Sequence, residues 1–134
     1  MRTIAAMLLM LAVLPTAADG RPGWLGLSYT FHGRDQGPAI QWLLVRGLER
    51  GGPADKGGVK LQDVVVAING KRIAFANAQA MLDAIGRIRP RENVRLTVVR
   101  GGKEQILTIR ATEMTPAQYE RWKMNYEIAK RPDK

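Results

Sequence analysis

The sequence predicts a small α+β domain built on a curled antiparallel sheet. Three observations lead there: short β-branched or alternating runs separated by glycine-rich turns, one substantial segment of helical period from about Ala78 to Ile88, and a composition suited to one packed core. At 134 residues, 46% hydrophobic and 25% charged, the chain is long enough for a single domain. It has no cysteine, so the fold rests on packing without disulfides, and a thiol nucleophile or a Cys-based zinc or iron–sulfur centre is excluded. With one histidine, His32, no metal and no other cofactor is expected.

Residues 1–18 read as a cleavable secretory signal. Met1-Arg2 is a short positive start, Ile4 to Leu14 is an uninterrupted apolar run, and Pro15-Thr16-Ala17-Ala18 ends it with small residues. The run is about half of what a membrane span needs. The expected location is therefore periplasmic or secreted, and the net charge of +9 counts toward acidic partners or surfaces rather than toward nucleic acid.

Trp24 to His32 reads as the first strand, with Leu25, Leu27, Tyr29 and Phe31 on one face and Ser28, Thr30 and His32 on the other. A loop over residues 33–38 leads to a second apolar run, Ile40 to Val45, and then to the breakers Gly47, Gly51-Gly52-Pro53 and Gly57-Gly58 around one short helical turn. Leu61 to Ile68 is β-branched and stops at Asn69-Gly70, a tight-turn pair. Val94 to Val99 and Glu104 to Arg110 alternate on either side of Gly101-Gly102 and predict a hairpin.

Asn77 is a good N-cap for the main helix, and Pro90 stops the chain soon after it. Its apolar residues form two overlapping stripes, Ala78, Leu82 and Ile85 on one side and Met81, Ile85 and Ile88 on the other. That union is wider than one core-facing stripe requires. Either the helix is sunk in the core, or one flank meets the core while the other lines a groove. Residues 114–134 form a basic amphipathic tail in which Thr115-Pro116 starts a helix and Tyr119, Trp122, Tyr126 and Ala129 share a face. Such a stripe suits docking on the chain's own domain, on a partner, or on a membrane surface.

Hydrolytic catalysis finds no support. A serine triad needs its members within hydrogen-bond reach, yet Ser28 and His32 lie four residues apart on one strand, about 13 Å. The carboxylates are scattered, and no glycine-rich segment ends in the Lys-Ser/Thr of a phosphate loop. The chain is not expected to be an enzyme.

The motif with functional content is Arg21-Pro22-Gly23-Trp24-Leu25-Gly26-Leu27, whose Φ-Gly-Φ core can turn successive backbone N–H groups toward one anion. It is followed by Leu48-Glu49-Arg50-Gly51-Gly52-Pro53-Ala54, by Gln62-Asp63-Val64-Val65-Val66-Ala67-Ile68-Asn69-Gly70, and by Arg100-Gly101-Gly102-Lys103. Over about Trp24 to Thr112 this order resembles the bacterial PDZ domain of secreted HtrA/Deg-type proteases. It departs from that pattern at Trp24 for the first loop glycine, Gly52 for a serine, Gly57 for an alanine and Gln62 for the glycine before Asp63.

The resemblance implies a PDZ-like curled sheet, a partly open barrel, with one main and one short helix over residues 19–113, plus the C-terminal helix. It implies binding of extended or C-terminal peptides of envelope proteins by strand addition, as an adaptor or regulator and with a protease among the candidate partners. Carried onto this sequence, Arg21, Trp24, Leu25, Gly26 and Leu27 would hold the peptide carboxylate. Ser28, Tyr29, Thr30 and Phe31 would face the peptide backbone, with Ala78, Leu82 and Ile85 completing the groove. A protease domain would need more chain than is present, which suggests a stand-alone module. The charged ending Arg131-Pro132-Asp133-Lys134 is poorly suited to its own apolar pocket. The alternative is a basic envelope-surface protein that meets anionic lipid or polymer through Tyr119, Trp122 and Tyr126.

Overall fold

The computed structural model describes residues 21–35 and 37–130; residues 1–18, expected to be a signal, and the last four residues lie outside them. Eight strands and three helices follow in the order β1 (Gly23–Trp24), β2 (Leu27–His32), β3 (Trp42–Leu48), α1 (Pro53–Lys56), β4 (Val64–Ile68), β5 (Lys71–Arg72), α2 (Ala78–Ile85), β6 (Asn93–Arg100), β7 (Lys103–Arg110), β8 (Thr112–Glu113) and α3 (Pro116–Lys130). The main sheet runs β2-β3-β4-β6-β7 with β5 on β4, all antiparallel, and a second two-stranded sheet pairs β1 with β8. The sheet path has two ends and closes no barrel, so β2 keeps an unpaired edge.

The turn chemistry accounts for the connections. Asn69 and Gly70 both have positive φ, 50° and 81°, the backbone a two-residue hairpin demands, and Asn69 is further locked to Arg95 through both its amide and its Oδ1. Asn77 caps α2 as expected, its Oδ1 accepting from the Ala80 amide at 2.9 Å. The helix ends at Ile85 rather than Ile88, because at Gly86 the bonding tightens to Ala84 O with Arg87 N and Ile85 O with Ile88 N. At α3, Thr115 and Gln118 bond reciprocally, side chain to backbone, at 3.1 and 2.9 Å; this is a capping box ahead of Pro116.

The first strand is not continuous from Trp24 to His32. It breaks at Leu25-Gly26, where Gly26 takes φ +76° and reverses the peptide planes. The second apolar run is likewise displaced, with β3 beginning at Trp42 and running through Gly47, while Ile40 bridges Phe75.

Val45, Val94, Val98, Ile109 and Met81 form the centre of the core between the sheet and α2. Asp63, 1% exposed, is buried at the sheet's edge of that core. Arg100 donates to both of its oxygens at 2.8 and 2.7 Å, the Lys60 amide adds 2.9 Å, and Arg100 also reaches Gly58 O. Burial alone would raise the Asp63 pKa, but these bonds and the charges of Arg100 and Lys60 hold it below the ordinary carboxylate value. The cluster ties the segment after α1 to β6.

Candidate functional site

Gly26 shapes the loop between β1 and β2. A Cβ there would lie 2.9 Å from Pro53 Cδ, and its φ is in the left-handed region, so glycine alone fits without strain. This geometry directs the Leu25 and Gly26 carbonyls toward α1, where they accept from the Ala54 and Glu49 amides at 2.9 Å each. The N–H groups of Leu25 and Gly26 have no backbone acceptor among the described residues. A pair of adjacent amides left without acceptors beside an apolar cavity is a ready site for an anion.

Trp24 needs no positive φ, and its indole Nε1 donates to Glu49 Oε1 at 2.7 Å. That oxygen lies 3.1 Å from where a Gly26 Cβ would be and 2.6 Å from where a Gly52 Cβ would be. The departures at Trp24 and Gly52 are thus linked: the indole draws the Glu49 carboxylate across the turn, and Gly52 leaves room for it. Gln62 does sit where glycine is favoured, at φ +74°.

A cavity of about 470 Å³ extends from this loop between β2 and α2. Of the residues expected in it, Trp24, Leu25, Gly26 and Leu27 line the loop end, Ser28, Tyr29 and Phe31 the β2 side, and Ala78, Leu82 and Ile85 the α2 side. Both stripes of α2 border this cavity, Ala78, Leu82 and Ile85 on one and Met81 and Ile88 on the other; Met81, Leu82 and Ile88 are buried, and Ala78 and Ile85 half-buried. Burial pushes the Tyr29 phenol up to about 12, so it is neutral at any physiological pH.

Two expected residues lie elsewhere. Thr30 does not line the cavity; its Oγ1 bonds His32 Nε2 at 2.9 Å, and the His32 ring stacks on Trp42 at 5.9 Å. Arg21 stands over the Tyr119 ring, 5.2 Å from its centroid, because the C-terminal helix passes beside β1. Its charge is spent on an aromatic face rather than on the loop.

The C-terminal helix docks on its own domain. Tyr119, Trp122 and Tyr126 stack in succession with centroids 6.2 and 5.3 Å apart, Tyr126 donates to Asp83 Oδ1 at 2.7 Å, and the Trp122 ring fits against Gly86, 3.0 Å from where a Cβ would be. The bond to Asp83 raises the Tyr126 pKa. Trp122 and Tyr126 therefore face α2, while Tyr119 packs against Arg21 and Lys123. Sequence reasoning did not find that the neighbouring face of α3, Gln118, Arg121, Asn125 and Ile128 with Trp122, forms a third wall of the cavity. Its i, i+3, i+4, i+7 spacing was the available signal, masked by its mixed polarity. Trp122 Nε1 is buried there with no acceptor.

Among the described residues no three histidine or carboxylate side chains converge on one point, and no helix is long and apolar enough to cross a membrane.

Comparison with known proteins agrees with this geometry. The family model described as PDZ domain matches residues 25–110. A probable periplasmic serine endoprotease DegP-like of Ectopseudomonas mendocina (strain ymp) is 32% identical over 99 residues, 69% of this chain and 20% of that protein. The corresponding protein of Halomonas elongata is 30% identical over 101 residues, 72% of this chain and 21% of its own length. The chain thus spans about a fifth of these curated relatives. Among solved structures, the HtrA-type protease AlgW with decapeptide superposes with a TM-score of 0.58 at 24% identity, over 81% of this chain and 35% of that one. The HtrA3 PDZ domain bound to a phage-derived ligand (FGRWV) gives 0.52 at 16% identity, over 69% of this chain and 86% of that domain. The chain belongs to the PDZ domain family.

Proposed function

We propose that this protein is a peptide-binding module of the cell envelope that takes up the C-terminal end of an extended peptide as an added strand beside β2 and acts as an adaptor or regulator of the protein bearing it. The observation that carries this reading is the Leu25-Gly26 loop, with two adjacent amides lacking backbone acceptors at the head of a groove whose other side is α2. A peptide antiparallel to β2 satisfies the strand's unpaired edge, its carboxylate accepts from the loop, and its last side chain enters the apolar space between Leu25, Leu27, Leu82 and Ile85. The peptides in the AlgW and HtrA3 structures support the mode of binding, and the relatives described as periplasmic support the compartment that residues 1–18 suggest. The action proposed for residues 25–110 is binding rather than catalysis, a reading that the match to the PDZ domain supports.

The contact is small, so affinities near micromolar, about −8 kcal/mol, are expected. The test is a set of labelled octapeptides ending in Val, Leu, Ile, Phe or Ala, titrated as free acids and as amides. Binding should favour the free acid by about tenfold, the worth of a charge-assisted contact. Equal affinity for acid and amide would remove the carboxylate from the site.

A further inference from the structure

We infer that the C-terminal helix is part of the ligand site: Arg121 supplies the positive charge for the peptide's terminal carboxylate. This rests on the reading of the groove given above and names the charged partner of that site, which the first loop does not contain.

Arg21, the cation nearest the loop in sequence, is held over Tyr119. Arg121 lines the same cavity as Leu25 and Gly26 and makes no ion pair among the described residues. Its position on the helix places it at the loop end. β8 pairs with β1, Trp24 opposite Thr112, so α3 starts beside the loop; Trp122 packs at Gly86, the C-terminal end of α2, and Tyr126 at Asp83, one turn back along α2. The two helices are therefore antiparallel, with the first turns of α3 nearest the loop. From Thr115 to Arg121 the helix rises about 9 Å, and a helical side chain leans back toward the N-terminus, which brings the guanidinium toward the Leu25-Gly26 amides.

Electrostatics gives this cation a reason. Glu49 Oε1 lies 3.1 Å from where a Gly26 Cβ would stand, so a carboxylate already sits behind the loop. A second carboxylate in front of it would be repelled unless a cation faces it from the open side.

The experiment compares the full chain with Arg121→Gln and Lys103→Gln, the second a control for net charge at the exposed start of β7. Each is titrated with the Val-ending octapeptide as free acid and as amide, and each is melted without peptide. Arg121→Gln is expected to lose about five- to tenfold for the acid and little for the amide, so that the ratio of the two collapses; Lys103→Gln keeps the wild-type ratio. An unchanged acid-to-amide ratio in Arg121→Gln overturns the proposal. Tighter binding of the acid by Arg121→Gln would make α3 a cover over the groove and overturn it as well. If wild type itself does not distinguish acid from amide, it is the reading of the loop that fails.

Discussion

Two polar constellations border the core, and they are built on opposite terms. Around Asp63 every strong donor and acceptor has a partner: both carboxylate oxygens, the Lys60 amide and the Arg100 guanidinium are bonded, the last also to Gly58 O. Around the Leu25-Gly26 loop the carbonyls are satisfied, while the Leu25 and Gly26 amides have no backbone acceptor among the described residues. Saturated polar groups stabilise one arrangement of the chain. Polar groups left open at a cavity cost stability in the empty protein and return it only when something binds. The contrast separates a structural cluster from a binding site without reference to sequence similarity.

The largest test breaks the saturated cluster. Asp63→Ala leaves Arg100 and the Lys60 amide without their partner, and removing one member of a buried pair costs about 3 kcal/mol when the other can still reach water, as Arg100 can at 29% side-chain exposure. Urea unfolding should show that loss, while the folded fraction keeps its preference for free-acid peptides. The same cluster has a pH signature. A carboxyl whose folded pKa is depressed contributes stability that is complete above its unfolded value, 3.8, and disappears as the pH falls through the lower folded value. The difference in unfolding free energy between wild type and Asp63→Asn should therefore be flat from neutral pH down to about 5 and shrink below about 4. A difference that grows on acidification would mean that Asp63 is not held ionised by Arg100.

A smaller effect on stability and a larger one on binding are expected from the open loop. Gly26→Ala places a methyl 2.9 Å from Pro53 Cδ on a backbone at φ +76°, which costs about 2 kcal/mol for left-handed strain and displacement. Any relief of that strain turns the Leu25 and Gly26 amides away from their common point. The variant should stay folded but lose at least about tenfold in affinity for the free-acid octapeptides and most of its preference over the amides. Wild-type preference in a folded Gly26→Ala protein would place the carboxylate elsewhere.

The two constellations were not equally legible. Gly-Φ turns, Asn69-Gly70, Asn77 and the β-branched runs are local signals: the hairpin, the short helix and the start of α2 appear where those signals put them, whereas the first strand breaks at Leu25-Gly26, β3 begins at Trp42 and α2 stops at Ile85. The over-wide stripe on α2 was informative too, since Ala78, Leu82 and Ile85 do line a groove. What could not be read is pairing across long sequence separations. Arg21 meeting Tyr119, Trp24 meeting Glu49 and the Gln118–Arg121–Asn125 face closing the groove depend on where β8 delivers α3, a register set by Trp24 opposite Thr112. Arg21 is adjacent to the loop in sequence, whereas Arg121 is nearly a hundred residues away and reaches the cavity only through the fold.

Gln62 gives the smallest test and shows which departures from the family's pattern are compensated. Trp24 and Gly52 are matched to each other through Glu49, but Gln62 occupies φ +74° with its side chain exposed and no bond that requires it. An L-residue there carries about 1–2 kcal/mol of left-handed strain, whereas glycine carries none but loses about 0.5–1 kcal/mol more backbone entropy on folding. Gln62→Gly should then stabilise the protein by about 0.5–1 kcal/mol, a rise of a few degrees in Tm, with peptide affinity unchanged because Gln62 does not line the groove. The Gln62 amide's bond to Val45 O survives the substitution, so a fall in Tm would show that the glutamine side chain makes a stabilising contact of its own. A change in affinity without a change in Tm would couple this strained turn, beside Asp63, to the open loop across the sheet, and the separation of the two constellations would no longer hold.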